Sequence, residues 1–536
     1  MYKQGLYHDW VPKPVQLLMI ILCTIPFLVI FGVYNGNISE MTGQTGQLTE
    51  YYTLGYYAAF IGMTAVMPLL LRTKQYFRSK EIVVGCLLLL VLFSWICATT
   101  DNGPLVVVCS FFIGVFKMMG ILEFILPIFF IISPKMDRTK FYPIFYPMAI
   151  IMGQLSGYYF SQIANEFSWE YVYLYLNIYM LVCALLSTIL MHNYRASKKL
   201  PLYQFDWTGM ILFVVSMIVL GYVLVFTKYH GWFQSEIIFG NLLAFAVIFA
   251  LFILRQKTTK RPFLIISAFA KKNVYSAIIM ISLLGIFLAA GSAQSVLVLG
   301  ILKYSSQTNM LFNLYMVPGV ILGGIISFQW FKHKLPLKGL IIFGFAAYLL
   351  AHIIIYYLIA PVITVEQFFI PSLLKGVGLC LLYIAVTVYS CENLDMREML
   401  TASSVFIMFR SFVGPALFGS FISWGMYRLQ WQSANDLATD IDASSYLTLL
   451  NGGGLRLYGS LQIQSIMVAA KTIYGYTIVG GILSIVYIAL HNVNPSPRHY
   501  ITLMRRRLSG NKKERFEDTS LHSKNKRIAE SAPTAV

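Results

Sequence analysis

Fourteen apolar stretches, each about long enough to cross a lipid bilayer, follow one another between Val15 and Leu490. A helical crossing needs roughly 20 apolar residues. Only helices and closed barrels satisfy all their backbone hydrogen bonds inside lipid. The strands of a barrel alternate apolar and polar residues, whereas stretches such as 84–98 and 341–359 are apolar almost throughout. The sequence therefore predicts an all-α membrane protein, and lipid rather than water is its main solvent.

The predicted spans fill most of the chain between short connectors. They are 14–35, 52–71, 82–100, 104–133, 142–162, 170–191, 207–227, 237–254, 274–294, 310–331, 337–358, 367–390, 400–426 and 472–491. Lysine and arginine concentrate in the connectors that follow even-numbered spans, for example Arg72, Lys74, Arg78 and Lys80 after span 2. Because such connectors stay in the cytoplasm, this bias predicts that both termini are cytoplasmic. It also explains the net charge of +18 without nucleic acid.

The sequence contains no recognisable enzyme chemistry. It has no phosphate-binding loop that would hold ATP, no His, Cys and carboxylate cluster with metal-ligand spacing, and no nucleophile beside a recognisable base. The seven cysteines lie in or at the ends of spans, where we interpret them as small apolar packing residues. We therefore predict no catalytic residue, no metal and no cofactor, and a protein that is not an enzyme.

Several short motifs resemble those of a known transporter family. They are Asp206-Trp207-Thr208-Gly209 at the start of span 7, Arg261-Pro262-Phe263 before span 9, Gly153-Gln154-Leu155-Ser156-Gly157 in span 5, and Gly376, Gly378, Ser403, Arg410 and Gly414 in spans 12 and 13. On these residues the chain resembles a divergent member of the fourteen-span drug:proton antiporters of the EmrB/QacA type, within the major facilitator superfamily.

The resemblance implies the major facilitator fold, with two six-helix bundles at 1–200 and 261–491 and an inserted helix pair at 201–260. It implies proton-coupled export of drugs or other lipophilic compounds across a bacterial inner membrane by alternating access. The long outer loop 427–471 resembles that of exporters that dock a periplasmic adaptor and an outer-membrane channel. The tail 492–536 is basic and polar, and we expect it to be disordered.

Two charged residues of that family are missing. Span 1 reads Ile30-Phe31-Gly32-Val33-Tyr34 without a carboxylate, and Ser110 stands near the place of the arginine in span 4. Proton coupling therefore cannot use the residues of the family unchanged. Two alternative functions remain open. The first is a carrier of an anionic metabolite or siderophore. The second is a non-transport membrane protein, but the sequence lacks the polar cluster at one membrane face that such a protein would need.

Charged residues inside spans are the strongest candidates for function, because each costs roughly 2.5–3.5 kcal/mol at a helix centre unless it is compensated. Glu123, the only carboxylate well inside a span, is the candidate proton site, and Lys117 is its electrostatic counterweight or an anion-binding group. A fixed ion pair that locks helices together is the structural alternative for both. Their six-residue spacing on one helix excludes a direct pair.

Arg410, Lys375 and His352 are further candidates for cavity or interhelix roles. Arg410 keeps its charge at any relevant pH. Lys375 lies nearer the outer face. His352 is a candidate titrating group, and a packing residue is the alternative. Cavity-lining candidates in spans 5 and 9 are Gln154, Tyr158, Ser292 and Gln294. Gly153 and Gly157 are four residues apart, and this spacing predicts close helix packing on one face.

Overall fold

The computed structural model describes residues 6–134, 137–193, 201–392, 394–439 and 454–491. Within these residues each of the fourteen predicted spans is a long helix, numbered here α1 to α14. Their bounds are α1 Lys13–Val33, α2 Thr49–Tyr76, α3 Ser79–Thr99, α4 Gly103–Ile132, α5 Arg138–Glu166, α6 Trp169–Leu190, α7 Trp207–Phe226, α8 Glu236–Thr258, α9 Lys272–Ile301, α10 Ser306–Lys332, α11 Leu337–Leu358, α12 Val365–Ser390, α13 Met396–Thr439 and α14 Gly454–Leu490.

Thirteen of these helices are long and apolar enough to cross a membrane by length and composition. The fourteenth, α5, has 29 residues, or about 43 Å of rise, but it is more polar and contains Pro143 and Pro147. It packs against α1, α6, α10 and α12. Because protein encloses α5 on several sides, it needs less apolar surface than a helix that faces lipid. The chain is a multi-pass membrane protein.

The helices form two six-helix bundles with the same internal pairings. In the first bundle α2 packs on α4, α4 on α3, α3 on α6, and α1 on α5. In the second bundle α10 packs on α12, α12 on α11, α11 on α14, and α9 on α13. Each pairing thus recurs eight helices later, which leaves α7 and α8 as the additional pair. The predicted arrangement of two six-helix bundles and two additional helices is confirmed.

Glycines close equivalent crossings in the two bundles. A Cβ atom at Gly114 of α4 would overlap the carbonyl oxygen of Ala59 in α2, and one at Gly376 of α12 would overlap the carbonyl oxygen of Met316 in α10. Without side chains the backbones come into direct contact, which is how helices pack closely in lipid. These crossings fix the height and rotation of α4 and α12, and both helices carry candidate functional residues.

The additional pair is joined by the motif residue Asp206. Its carboxylate caps α7 by accepting a hydrogen bond from the Gly209 amide at 3.0 Å. It also forms an ion pair with Arg255 near the end of α8, at 2.8 Å. Helix α7 packs beside α2 and also touches α13, and α8 packs on α7. The Asp-Trp-Thr-Gly motif of this chain therefore has a structural role.

Much of the predicted outer loop 427–471 is helical. Helix α13 continues to Thr439 and α14 begins at Gly454, so only 440–453 lie outside the described residues. The predicted outer loop is therefore too long at both of its ends, because charged and polar residues end an apolar pattern without ending a helix. The 13 residues that extend α13 beyond 426 add about 20 Å. The tail 492–536 also lies outside the described residues.

The bundles touch each other at both ends of the helices. We call the end with the connectors after even-numbered helices the basic end. There Arg138 of α5 donates to the carbonyl oxygen of Cys391 at 3.0 Å, and Ser404 of α13 donates to that of Thr64 at 2.8 Å. At the opposite end Ser306 of α10 donates to the carbonyl oxygen of Gly36 at 2.6 Å. Any site between these contacts is enclosed by both bundles.

Candidate functional site

Two cations from different bundles lie at mid-depth between these contacts. Lys117 lies 14 residues after the start of α4, and Arg410 lies 14 residues after the start of α13. Because α4 starts at the opposite end and α13 at the basic end, both cations lie about 21 Å from a helix end. They are close enough for their charges to interact. Two of the predicted charged residues thus meet in one place.

Lys117 points from α4 toward α1. It lies one turn beyond Gly114, where α4 touches α2, and this close crossing holds its side chain at the centre of the bundle. Its ammonium nitrogen is 3.4 Å from the centre of the Phe31 ring, and the residue is only 7% exposed. This is a cation–π contact. No ion pair among the described residues includes Lys117, so the ring of Phe31 is its charge-stabilising neighbour.

Arg410 approaches the same region from α13. It belongs to a π-helical segment, Phe409–Val413, and such widened turns often occur at functional sites. The central guanidinium carbon is 4.6 Å from the centre of the Tyr383 ring of α12. Arg410 remains partly exposed, although protein surrounds it. Its Nε donates to the Ser411 hydroxyl at 3.5 Å, and no described ion pair includes its guanidinium group.

Aromatic side chains from both bundles surround the two cations. Tyr56 of α2 packs on Phe31, with ring centres 6.4 Å apart, and interacts electrostatically with Arg410. Across the interface, Tyr146 of α5 packs on Tyr383 at 6.2 Å, and its hydroxyl lies 2.9 Å from the Thr387 hydroxyl. We call Phe31, Tyr56, Lys117, Tyr383 and Arg410 the central site. It combines positive charge with flat apolar surfaces.

The central site has no carboxylate partner among the described residues. The described ion pairs are Lys74–Glu123, Arg78–Glu81, Arg255–Asp206 and Lys271–Glu398, and none of them includes Lys117 or Arg410. A buried charge without a partner is costly, and proteins normally compensate it. The central site thus holds two basic side chains without a compensating carboxylate among the described residues.

Glu123 is not part of the central site. It lies about three turns from the end of α4, where its carboxylate is 3.3 Å from the ammonium of Lys74 at the basic end of α2. Glu123 is buried and Lys74 is partly buried. This is the geometry that the structural alternative requires, a fixed ion pair between helices. The predicted proton role of Glu123 is untested by this geometry and stays a prediction.

The other predicted cations lie in the second bundle. Lys375 of α12 donates to the side-chain oxygen of Gln294 in α9 at 2.6 Å. His352 of α11 is fully buried, and its Nδ1 lies 2.9 Å from the carbonyl oxygen of Tyr348. The two residues interact electrostatically. Lys375, His352 and Gln294 therefore form a second polar cluster, nearer the opposite end than the central site.

The remaining candidates of spans 5 and 9 are dispersed. Gln154 and Tyr158 are partly exposed, and the Tyr158 hydroxyl accepts a hydrogen bond from Gln162 at 3.1 Å. Ser292 is exposed and donates to its own helix at 2.7 Å. None of these contacts brings them to the two cations, so a role in lining the cavity stays a prediction.

The small residues of α5 pack differently from the prediction. A Cβ at Gly153 would have nothing within 4 Å, whereas one at Gly157 would lie 3.1 Å from Asn35. The tightest approach of α1 to α5 is between Gly32 and Ser156, since a Cβ at Gly32 would overlap the Ser156 hydroxyl. Spacing alone shows which residues share a face, and tertiary packing decides which of them meets the neighbouring helix.

Three residues of the central site were missed in the sequence. Phe31, Tyr56 and Tyr383 are aromatic residues in a chain with 15% aromatic residues, so their residue type carries no signal. The absence of a carboxylate in span 1 was the available clue, because it left the cations of spans 4 and 13 without an obvious partner.

Comparison with known proteins supports the fold alone. No protein-family model and no curated protein matches the sequence. Among solved structures, a point mutant of a peptide transporter of the POT family is similar with a TM-score of 0.57 at 12% identity, over 89% of this chain and 95% of that one. A point mutant of the nucleoside transporter NupG gives 0.53 at 12% identity, over 89% and 99%.

A bacterial homologue of the human lysosomal transporter Spinster, solved in an inward-facing and occupied conformation, gives a TM-score of 0.52 at 12% identity. The similarity covers 90% of this chain and 97% of that one. All three alignments thus extend over nearly the whole length of both chains. Their agreement identifies the two-bundle transporter fold, and the low identity leaves the drug:proton antiporter subfamily a prediction.

Proposed function

We propose that this protein is a secondary active transporter whose central site binds a small amphipathic organic anion. The observation that carries the proposal is the pairing of Lys117 and Arg410, one from each bundle, without a carboxylate partner among the described residues. An anion between them would receive charge-assisted hydrogen bonds, which are about twice as strong as neutral ones. The rings of Phe31, Tyr56 and Tyr383 would contact its apolar part.

The same geometry suggests how binding would drive transport. Because the two cations belong to different bundles and repel each other, an empty central site disfavours their close approach. A bound anion reverses that interaction and draws the bundles together around it. Contacts at the basic end, such as Arg138 to Cys391, and at the opposite end, such as Ser306 to Gly36, would then open alternately as the bundles rock.

Proton-coupled export of lipophilic drugs is the second candidate function. The aromatic lining of the central site supports it, because pockets for amphipathic ligands combine aromatic residues with few polar groups. The two cations argue against a cationic drug, since they would repel it. Export, a bacterial inner membrane, and an adaptor docked on the extensions of α13 and α14 all belong to this candidate.

Three probes with one ring system and different charge separate the two functions. Naphthalene-1-sulfonate is an anion, naphthalene-1-sulfonamide is neutral, and 1-naphthylmethylammonium is a cation. We expect the purified full-length protein to bind the sulfonate and to exchange it across liposome membranes, with at least tenfold weaker binding of the other two. Binding of the ammonium as tightly as the sulfonate would overturn the anion proposal.

Lys117→Ala and Arg410→Ala test the site itself. Hydrogen bonds to charged groups contribute about 1.5–3 kcal/mol, so each substitution should weaken sulfonate binding about 10- to 100-fold. Lys471→Met is the matched control, because it removes a lysine that lies over Tyr356 at the opposite end of the second bundle. Equal weakening by all three substitutions would point to a general loss of positive charge.

A further inference from the structure

We propose that His352 and Lys375 form a proton-binding site in the second bundle, in which the two bases share one proton, and that loading this site couples anion transport to protons. The coupling part rests on the proposed function. The proton site itself rests on the packing of four helices around His352. The proposal therefore assigns the proton to His352 and Lys375 rather than to Glu123.

The imidazole of His352 lies at the meeting point of α9, α11 and α14. Its ring centre is 5.0 Å from that of Phe287 in α9 and 5.6 Å from that of Tyr474 in α14. Nδ1 faces the Tyr348 carbonyl oxygen at 2.9 Å, whereas Nε2 and the Tyr474 hydroxyl are both buried without a hydrogen-bond partner. A polar atom that is buried without a partner in an apolar core is costly, so Nε2 of His352 is a base without compensation.

Lys375 reaches the same level from α12. Gly378 of α12 lies against the Tyr348 ring of α11, and these two helices run in opposite directions. One helical turn from this contact toward the opposite end, α12 carries Lys375 and α11 carries His352. Lys375 donates to Gln294 at 2.6 Å and is partly exposed, whereas His352 is fully buried. Lys375 is thus the more accessible of the two bases.

No described carboxylate compensates these two bases. The titratable groups that face His352 from the surrounding helices are Lys375 on α12, Tyr348 on its own helix and Tyr474 on α14. Further toward the opposite end, Lys471 lies over Tyr356 at 5.1 Å. Two cations in one apolar cluster disfavour each other, so such a pair titrates as a unit. One proton on the pair, either on Nε2 or on Nζ, is the arrangement that costs least.

Helix α12 links this pair to the central site. Lys375 lies eight residues before Tyr383, the ring that stacks on Arg410, which is about 12 Å along the helix axis. A proton taken up from water onto the pair adds positive charge on the side of the second bundle where an anion binds. The anion therefore favours the protonated pair, and by reciprocity the protonated pair favours the anion. Release of the proton to water on the other side completes the cycle.

Liposome exchange and accumulation of naphthalene-1-sulfonate separate binding from coupling. In the wild-type protein we expect both exchange without a gradient and accumulation driven by a pH gradient. In His352→Phe and Lys375→Met we expect exchange to remain within about threefold and gradient-driven accumulation to be lost. Lys471→Met is the matched control and should keep both. Gradient-driven accumulation in either His352→Phe or Lys375→Met would overturn the coupling.

A measurement without substrate tests the proton site independently of the proposed function. Infrared difference spectra between high and low pH should contain an imidazole band that disappears in His352→Phe and whose midpoint shifts in Lys375→Met. A band that is absent from the wild type, or a midpoint that Lys375→Met leaves unchanged, would overturn the shared proton. If these bands behave as expected but no sulfonate binds, the proton site stands and the anion proposal fails.

Discussion

The ammonium nitrogen of Lys117 lies 3.4 Å from the centre of the Phe31 ring, which joins α4 to α1 inside the first bundle. In the resembling antiporter family this part of span 1 carries a carboxylate, and here an aromatic face takes the position of a charge-stabilising partner. A ring attracts a cation more weakly than a carboxylate does and leaves its charge unneutralised. Lys117 thus has no carboxylate partner among the described residues.

Replacing Phe31 with Leu should destabilise the protein. A cation–π contact in a desolvated place contributes about 2 kcal/mol, and Leu keeps most of the apolar volume without the ring. We expect a lower unfolding temperature of the purified protein and a near-wild-type value for Phe31→Tyr, which retains the ring. If Phe31→Leu unfolds at the wild-type temperature, the contact does not stabilise Lys117.

Replacing Glu123 with Gln should leave Lys74 without its partner. The Lys74–Glu123 pair is more buried than a surface ion pair and less buried than a fully enclosed one. We therefore expect a coupling free energy of about 1–3 kcal/mol between the two side chains. A double-mutant cycle with Lys74→Met, read from unfolding in denaturant, measures it. We also expect pH-gradient-driven transport to survive in Glu123→Gln. Loss of that transport in a stably folded variant would instead support Glu123 as the proton site.

Substituting Gly376 with Ala should disrupt the crossing of α10 and α12, because the new Cβ would overlap the Met316 carbonyl oxygen. Backbone atoms cannot move aside as a flexible side chain can, so we expect a large loss of folded protein on size-exclusion chromatography. Gly153→Ala is the matched control, since a Cβ there meets nothing within 4 Å. Similar behaviour of the two variants would contradict the assigned packing.

Removing the Arg138 side chain should open the basic end. Arg138→Gln loses the hydrogen bond to the Cys391 carbonyl oxygen, and Cys391 is buried at present. Burial is the main cause that raises the pKa of its thiol, and the nearby Arg138 charge lowers it. Loss of that charge alone would reduce the reactive thiolate, so faster labelling by a membrane-impermeant maleimide would report exposure.

We expect labelling of Cys391 to increase severalfold in Arg138→Gln, and Cys391→Ser identifies the labelled site. Ser306→Ala breaks the contact at the opposite end and should not accelerate labelling. An equal rate in the wild type and Arg138→Gln would show that this hydrogen bond does not hold the basic end closed.

Local features of the sequence were sufficient for the fold. The fourteen apolar stretches correspond to the fourteen helices because hydrocarbon forces each segment to satisfy its own backbone. Helix ends were less predictable: α13 and α14 continue beyond the apolar pattern, to Thr439 and from Gly454. Outside lipid a helix can carry polar side chains, because water solvates them. Hydropathy therefore no longer shows where the helix ends.

Hydropathy along the chain was enough to predict lipid as the solvent, the number of long helices and the residues whose charge is costly in lipid. Which of those charges lie near each other followed only from the packing of the helices. This packing paired Glu123 with Lys74, brought Lys117 and Arg410 near each other from opposite halves of the chain, and placed His352 and Lys375 at the same level of two adjacent helices. Hydropathy and charge belong to single residues and can be read from a sequence, whereas burial and the partner of a charge depend on how the helices cross.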